Sequence, residues 1–193
     1  YAYEVADRLE QAIPLFEQTL TDRERVLGPD HPHALAARGN LAYAYEVADR
    51  LEQAIPLFEQ TLTDTLRVLG PDHPHALAAR GNLADAYWSA GKLDEAIDLY
   101  KQNLVETLRV LGPDHPRTLA ARGDLAYAHR SAGKLGDAIR LFEQALTDRE
   151  RVLGPDHSDT RLFRKNLADA YRAVGRDEDA EALLDPPPAS DDA

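Results

Sequence analysis

Histidine and aspartate recur together in this chain of 193 residues, and they are the side chains most able to hold a divalent metal ion. Asp30 precedes His31 and His33, and the same trio returns at 72–75. Two imidazoles and a carboxylate form an acceptable ligand set. The first histidine keeps a fixed period, however, whereas the second becomes arginine and then aspartate in later copies. The pattern therefore favours structural histidines at helix starts, and we expect no metal site and no other cofactor.

A catalytic nucleophile is not indicated either. The chain has no cysteine, and none of its four serines lies in a strand-to-helix elbow where a neighbouring base could activate it. The Gly-x-x-x-x-Gly-Lys-Ser/Thr loop that holds nucleotide phosphates is also missing. We therefore expect that this protein is not an enzyme.

The charge balance excludes two classes of partner. A net charge of −12 is the wrong sign for neutralising nucleic-acid phosphates or for binding an anionic membrane. No run approaches the roughly 18 apolar residues that a membrane span requires, and no signal-peptide pattern opens the chain. We expect a cytoplasmic protein. Because methionine is absent even at position 1, we also expect that the chain begins inside a longer one.

A five-residue segment, Gly-Pro-Asp-His-Pro, sets the positions of these side chains. It recurs every 42 residues, at 28–32, 70–74 and 112–116, and with serine for the last proline at 154–158. A constant period of this size is typical of a repeat protein. Glycine suits the left-handed residue that ends a helix, proline stops that helix, and aspartate is a good N-cap for the next one. Each copy is therefore predicted to end one helix and begin another.

Two helices are predicted in each repeat. Helix A runs from about 33 to 47, with counterparts near 75–90, 117–132 and 159–174, and its tail remains at 1–5. Helix B runs from about 51 to 69, with counterparts near 9–27, 93–111, 135–153 and 177–184. Apolar residues recur at helical spacing in both, and no segment alternates with a period of two. The predicted fold class is all-α.

The repeat register also sets the predicted domain organisation. It gives a partial repeat at 1–27, repeats at about 28–69, 70–111, 112–153 and 154–184, and an acidic, proline-rich tail at 185–193 that should be disordered. Residues 1–22 recur unchanged at 43–64. The turn after helix A contains glycine in later copies, and Asp7 and Asp49 replace it in the first two. A left-handed turn is therefore predicted at both aspartates.

The pattern Asn-Leu-Ala-x-Ala-Tyr, followed by Gly-Lys-Leu-x-x-Ala-Ile-x-Leu-Tyr, resembles the tetratricopeptide repeat. The residues that match best are Leu83, Ala84, Tyr87, Gly91, Ala96 and Tyr100. The 42-residue unit is similar to the kinesin-light-chain-like class, which is common in large bacterial signalling proteins. The resemblance implies a right-handed α-solenoid of about four and a half antiparallel helix pairs, with helix A lining a concave groove. One departure is an arginine, at 38, 80, 122 and 164, in a position that is usually large and apolar.

Polar and aromatic side chains of helix A are the candidate peptide-binding residues. The resemblance assigns asparagines of helix A to the groove, and each repeat adds the residues three and six positions further along. The predicted set is Asn40, Tyr43, Glu46, Asn82, Asp85, Trp88, Asp124, Tyr127, Arg130, Asn166, Asp169 and Arg172. Glycines at 39, 81 and 123 either allow close helix packing or leave the groove floor open. Both interpretations stay open at this point.

The candidate groove has a charge polarity. Its first half is made acidic by Glu4, Glu46 and Asp85. Its second half is made basic by Arg130, Lys165 and Arg172, with Asp169 as a partial offset. We expect a mixed-charge protein or peptide partner whose basic end lies against the first half.

Two functional hypotheses follow. The first is a protein–protein interaction scaffold that binds a peptide or helical segment of a partner in the groove. The alternative is a regulatory or sensor arm of a multidomain signalling ATPase that contacts its own chain. Self-association is also predicted, since Leu9, Ile13 and Phe16 in the first half-repeat would be partly exposed.

Overall fold

The computed structural model describes the backbone of residues 2–184 and the side chains of residues 11–184. Within residues 2–184 the chain forms nine helices and no strand, which confirms the all-α prediction. They are α1 (Ala2–Leu27), α2 (Pro32–Val47), α3 (Leu51–Leu69), α4 (Pro74–Ser89), α5 (Leu93–Leu111), α6 (Pro116–Ser131), α7 (Leu135–Leu153), α8 (Ser158–Arg172) and α9 (Asp177–Leu184). The even-numbered helices are the predicted helices A. The predicted tail at 185–193 lies outside the described residues.

Each helix A begins at a histidine. The Nδ1 atom of His31 accepts a hydrogen bond from the backbone N–H of His33 at 3.1 Å. The same cap is formed in the later repeats by His73, His115 and His157. The structural role predicted for these histidines is confirmed, but the prediction that aspartate caps the helix is wrong. Asp30 instead accepts two hydrogen bonds from Arg67 of α3, at 2.5 and 3.0 Å, in the bidentate geometry that suits a guanidinium.

Two identical stretches of sequence, 1–22 and 43–64, adopt different conformations. In the second copy α2 ends at Val47, Asp49 takes the predicted left-handed conformation with φ 59°, and α3 begins at Leu51. In the first copy α1 continues without a break through position 7, so the turn predicted at Asp7 is not formed. Because the local propensities are identical, tertiary packing decides between turn and helix.

The first compact unit comprises residues 1–106. α1 packs against α2, α2 against α3 and α3 against α4, as antiparallel neighbours, and α2 also contacts α4. Leu41, Tyr45 and Phe58 are buried together at the centre of this unit. Stacked helix pairs share one apolar core that no single pair could bury alone.

The exposure predicted for the first half-repeat is wrong at Ile13. This side chain is only 2% exposed and belongs to the core of the first unit. Phe16 is half-buried and packs against the same core. The side chain of Leu9 lies outside the described residues. α2 provides the apolar surface that covers α1, which is why the half-repeat is not left open on this side.

The second compact unit comprises residues 107–193. It contains the last five residues of α5, and its described helices pack in order, α6 on α7, α7 on α8 and α8 on α9. The rings of Phe142 and Phe163 meet edge to face at 6.0 Å between centroids, and Tyr127 packs on both of them. Such aromatic contacts favour one packing arrangement over its alternatives.

The arginine that replaces a usual apolar residue in helix A is buried in the first unit. Arg38 is 3% exposed and donates to Asp64 at 2.6 Å and to Glu24 at 2.7 Å. Glu24 therefore neutralises a buried cation. One repeat later Leu66 takes the place of Glu24.

Arg80, the counterpart of Arg38, has no equivalent ion pair. It is 6% exposed, and its Nη1 atom has no hydrogen-bond partner among the described residues. Burial lowers the pKa of Arg80, and the charge of Glu106 acts in the opposite direction. Both repeats thus have an arginine buried at the same position. Arg38 is neutralised by two bonded carboxylates, whereas Arg80 has, within the described part of the chain, only the nearby charge of Glu106.

Candidate functional site

In the first unit, the predicted binding residues lie on the surfaces of α2 and α4, which we call the first helix A face. These residues are Asn40, Tyr43, Glu46, Asn82, Asp85 and Trp88. Residues three apart are neighbours on the surface of a helix. Tyr43 is 59% exposed and Trp88 is 43% exposed. Two accessible aromatic side chains therefore lie on helices that pack against each other.

Two carboxylates on the first helix A face interact electrostatically. Glu46 accepts a hydrogen bond from the Ser89 hydroxyl at 3.5 Å, and Asp85 accepts one from the Tyr100 hydroxyl at 2.5 Å. Loss of solvent raises the pKa of Glu46, and the charge of Asp85 raises it further. Neighbouring protein atoms likewise raise the pKa of Asp85, although much of its side chain stays exposed. The pair is a site of concentrated negative charge that a cationic ligand would relieve.

A cavity of about 200 Å³, which we call the Gly39 pocket, opens beside the two asparagines of this face. Its lining includes Gly39, Asn40, Thr61, Thr65, Ala79 and Asn82. A Cβ atom on Gly39 would meet the Thr61 Cγ2 atom at 3.7 Å, which is an ordinary contact. Close packing therefore does not require glycine at this position, and the open-floor interpretation stays a prediction that agrees with the cavity.

A second recess of about 340 Å³ lies between α1 and α2. It is lined by Phe16, Asn40, Tyr43, Ala44 and Val47, so that it adjoins two residues of the predicted set. The half-buried ring of Phe16 gives it an apolar wall. Two exposed side chains, those of Tyr43 and Val47, therefore border this recess.

In the second unit, three predicted residues on α6 and α8 form a hydrogen-bonded cluster. Asn166 donates to the Tyr127 hydroxyl at 2.8 Å, and Arg130 donates to the Asn166 side-chain oxygen at 3.4 Å. The Arg130 guanidinium also lies 5.2 Å from the centroid of the Tyr127 ring, as in a cation–π contact. Burial raises the pKa of Tyr127. These side chains form hydrogen bonds with one another, whereas the side chains of the first helix A face are more open to solvent.

The other predicted residues of the second unit are Asp124, Asp169 and Arg172. Asp169 and Arg172 form an ion pair at 3.3 Å along one side of α8, and both are exposed. Asp124 is half-buried on α6, and its charge helps to raise the pKa of Tyr127. The positive charge expected from Arg172 is therefore partly offset by its own neighbour.

The mid-helix glycine of the second unit has a packing role. A Cβ atom on Gly123 would lie 2.6 Å from the Phe163 Cζ atom, a distance that real Cβ contacts do not reach. The close-packing interpretation is thus confirmed at Gly123. Phe163 has no aromatic counterpart in the earlier repeats, where alanine takes its place.

The sequence did not identify three residues that shape the Gly39 pocket, namely Thr61, Thr65 and Ala79. A signal for two of them exists in the repeat alignment, because Thr65 corresponds to Arg149 and Ala79 to Phe163. Small residues in the first unit thus stand where large ones stand in the second. Whether such a difference leaves a cavity depends on the packing around it.

Two other kinds of site were tested on the described part of the chain. Within it, no group of three histidine or acidic side chains is arranged to hold a metal ion. None of the described helices combines the length and the apolar character that crossing a bilayer requires.

Models of the tetratricopeptide repeat match residues 1–65 and 36–104, and another model of this repeat matches residues 118–159. Among curated proteins, none matches the chain.

Solved structures resemble this chain over nearly its whole length. A protein from Podosopora anserina assigned as a kinesin light chain, with nearly identical TPR-like repeats, is 31% identical, with a TM-score of 0.82, over 94% of this chain and 89% of that one. BtubC (BKLC) from P. vanneervenii is 22% identical with a TM-score of 0.80, over 92% and 70% of the two chains. A Rap conjugation gene regulator of plasmid pLS20, solved with the Phr* peptide, is 16% identical with a TM-score of 0.66, over 92% and 47%.

The family models together cover the larger part of the sequence, and the helix order agrees with them. The chain belongs to the tetratricopeptide repeat family.

Proposed function

We propose that this protein is an interaction module that binds a peptide segment of a protein partner, with the first helix A face as its main contact surface. The observation that carries the proposal is the open arrangement of that face. Tyr43 and Trp88 are exposed, and Asn40 and Asn82 on the same two helices line the Gly39 pocket. Asparagine side chains offer both a donor and an acceptor, which suits a peptide backbone.

The charge of this face suggests the chemistry of the ligand. Glu46 and Asp85 repel each other and are partly desolvated. A lysine or arginine side chain, or a peptide amino terminus, would neutralise both and form charge-assisted hydrogen bonds. The indole of Trp88 is on the same helix as Asp85 and can contact such a cation through its ring.

The second unit contains the predicted residues that would bind an acidic part of the ligand. Tyr127, Arg130 and Asn166 form a preorganised cluster with one guanidinium, and Asp124, Asp169 and Arg172 lie on the same helices. A carboxylate of the ligand would find its donor at Arg130. We therefore propose a mixed-charge peptide whose basic end contacts the first helix A face.

Relatives of the same fold support a protein partner. Rap proteins have been solved with the Phr* peptide and with the competence and sporulation factor, and the Sgt2 TPR domain shares the fold at a TM-score of 0.54. These proteins are less than 25% identical to the chain, so the likeness shows a shared fold, and the identity of the ligand is left to experiment.

A random peptide library displayed on phage and selected on the immobilised chain tests the proposal. Selected peptides should carry a basic residue, and their affinity should fall about tenfold or more in the double variant Asn82→Ala/Trp88→Ala, the loss typical of an aromatic hot spot. Val105→Ala, which truncates an exposed side chain on helix B, is the matched control. Equal affinity for the double variant and the control would overturn the proposal.

A further inference from the structure

We infer that the Gly39 pocket binds the side chain of an aromatic residue, with phenylalanine as its best fit, from a peptide partner. The inference rests on the proposed function and specifies one side chain of the ligand. It comes from comparing two places that correspond to each other exactly two repeats apart, one in each compact unit.

The corresponding place in the second unit is filled by the chain itself. Gly123 corresponds to Gly39, and Phe163 corresponds to Ala79. The ring tip of Phe163 lies so close to Gly123 that only glycine fits beneath it, since an added Cβ would be 2.6 Å away. In the first unit the alanine leaves that space open. Phe163 therefore shows which side chain the space accommodates.

A second replacement enlarges the same space. Arg149 lies over the Phe163 ring, 3.5 Å from its centroid, and donates to the Leu119 carbonyl oxygen at 3.0 Å. Its counterpart in the first unit is Thr65, a much shorter side chain that lines the Gly39 pocket. The ring and the guanidinium that close the site in the second unit are thus both missing from the first.

The volume and lining of the pocket agree with a phenyl ring. An apolar cavity of about 150 Å³ is enough for benzene in other proteins, and the Gly39 pocket measures about 200 Å³. Ala79 and Thr61 present methyl groups to it, and Asn40 and Asn82 place amide groups at its polar edge. The ring of a ligand would be buried while its backbone meets the two asparagines.

The distance to the acidic pair predicts the spacing of the ligand. Glu46 follows Gly39 by seven residues on α2, which is about 10 Å along a helix at 1.5 Å per residue. Three residues of an extended peptide cover about the same distance. The preferred ligand therefore has an aromatic residue and a basic residue about three positions apart.

The test uses two variants that close the pocket to different degrees. Ala79→Phe introduces the residue that the second unit already has, and Gly39→Ala adds one methyl group at a tolerated distance from Thr61. The probe is N-acetyl-phenylalaninamide, with N-acetyl-alaninamide as its control, titrated into methyl-labelled protein and followed by NMR. We expect the phenylalanine probe alone to shift the methyl signals of Thr61, Thr65 and Ala79 in the native chain. In Ala79→Phe, the shifts of the two threonine methyls should disappear.

Stability and peptide affinity provide independent readouts. Ala79→Phe should melt at or above the temperature of the native chain, because its ring fills an existing space. Peptides selected on the native chain should lose about tenfold in affinity or more for Ala79→Phe, and part of that for Gly39→Ala. Absence of threonine methyl shifts, or a clear drop in melting temperature of Ala79→Phe, would overturn the inference. Selected peptides that bind both variants as well as the native chain would also overturn it, while leaving the proposed function intact.

Discussion

At the scale of single residues, the repeats differ most in how they neutralise the buried arginine of helix A. Arg38 has two carboxylate partners, Glu24 and Asp64, whereas Arg80 has an unbonded Nη1 atom. Among the residues that the structure describes, a buried cation with one unbonded nitrogen and a single opposing charge, that of Glu106, has a desolvation cost with less compensation than Arg38 has. Leu66, in the place of Glu24, is the substitution that separates the two cases.

Replacing each arginine by leucine should therefore have opposite outcomes. Arg38→Leu should lower the free energy of unfolding by roughly 1–3 kcal/mol, because it removes the cation of Glu24 and one of the two cations that pair with Asp64. Arg80→Leu should be neutral or stabilising, since it removes a buried charge that lacks such an ion pair. Urea denaturation of the two variants measures the difference. A larger loss for Arg80→Leu than for Arg38→Leu would contradict this account of the buried cations.

The two mid-helix glycines should also respond differently to the same substitution. Gly39→Ala should raise stability by up to about 1 kcal/mol, because alanine is the better helix former and the pocket has room. Gly123→Ala should lower it by roughly 1–3 kcal/mol, because its Cβ would overlap the Phe163 ring. Thermal unfolding compares them directly, and equal effects would mean that the pocket is not open.

At the scale of elements, α2 and α4 each hold a carboxyl group whose ionisation destabilises the folded protein. The pKa of Glu46 and that of Asp85 are raised in the folded protein, chiefly by loss of solvent. The folded state therefore holds these protons more tightly than the unfolded state does. The resulting stabilisation is complete below the ordinary carboxyl pKa and is lost as the pH rises through the raised values.

Asp85→Asn should accordingly stabilise the protein at pH 7 relative to the native chain, and this advantage should shrink as the pH falls through the raised pKa of Asp85 towards the ordinary carboxyl value. The asparagine side-chain oxygen can still accept the Tyr100 hydrogen bond, so the packing of α5 is kept. Asp98→Asn, at an exposed aspartate of α5, is the matched control. Melting curves across this pH range provide the measurement, and an advantage that grew with acidity would refute the assigned sign.

Much of the helical architecture could be predicted from the sequence, because it depends on short-range signals that recur every 42 residues. The features that the sequence did not predict depend on long-range contacts. His31 caps α2, whereas Asp30 is bound by Arg67, which is 37 residues away in sequence. The identical copies at 1–22 and 43–64 differ in conformation, which no local rule can anticipate.

The candidate site was predictable only in outline. The spacing along helix A identified exposed residues such as Tyr43 and Trp88. It could not show that the first helix A face is open whereas the residues around Tyr127 are hydrogen-bonded to one another. That distinction depends on the presence of Phe163 and on whether space is left when it is absent.

At the scale of the whole molecule, self-association through the first half-repeat stays a prediction. Burial of Ile13 shifts the expected contact to the exposed side chains near the recess of α1 and α2, among them Tyr43 and Val47. We expect light scattering to show concentration-dependent dimers that Tyr43→Ser/Val47→Ser abolishes and Val105→Ser does not. A monomer at all protein concentrations would contradict this prediction.

The most direct test of the central claim is to locate a bound peptide by intermolecular NOEs, using a peptide selected on the native chain. We predict NOEs from an aromatic side chain of the peptide to the methyl groups of Thr61 and Ala79, and from neighbouring peptide residues to the Trp88 indole. NOEs confined to the outer surfaces of helices B, around Val105 for example, would contradict it.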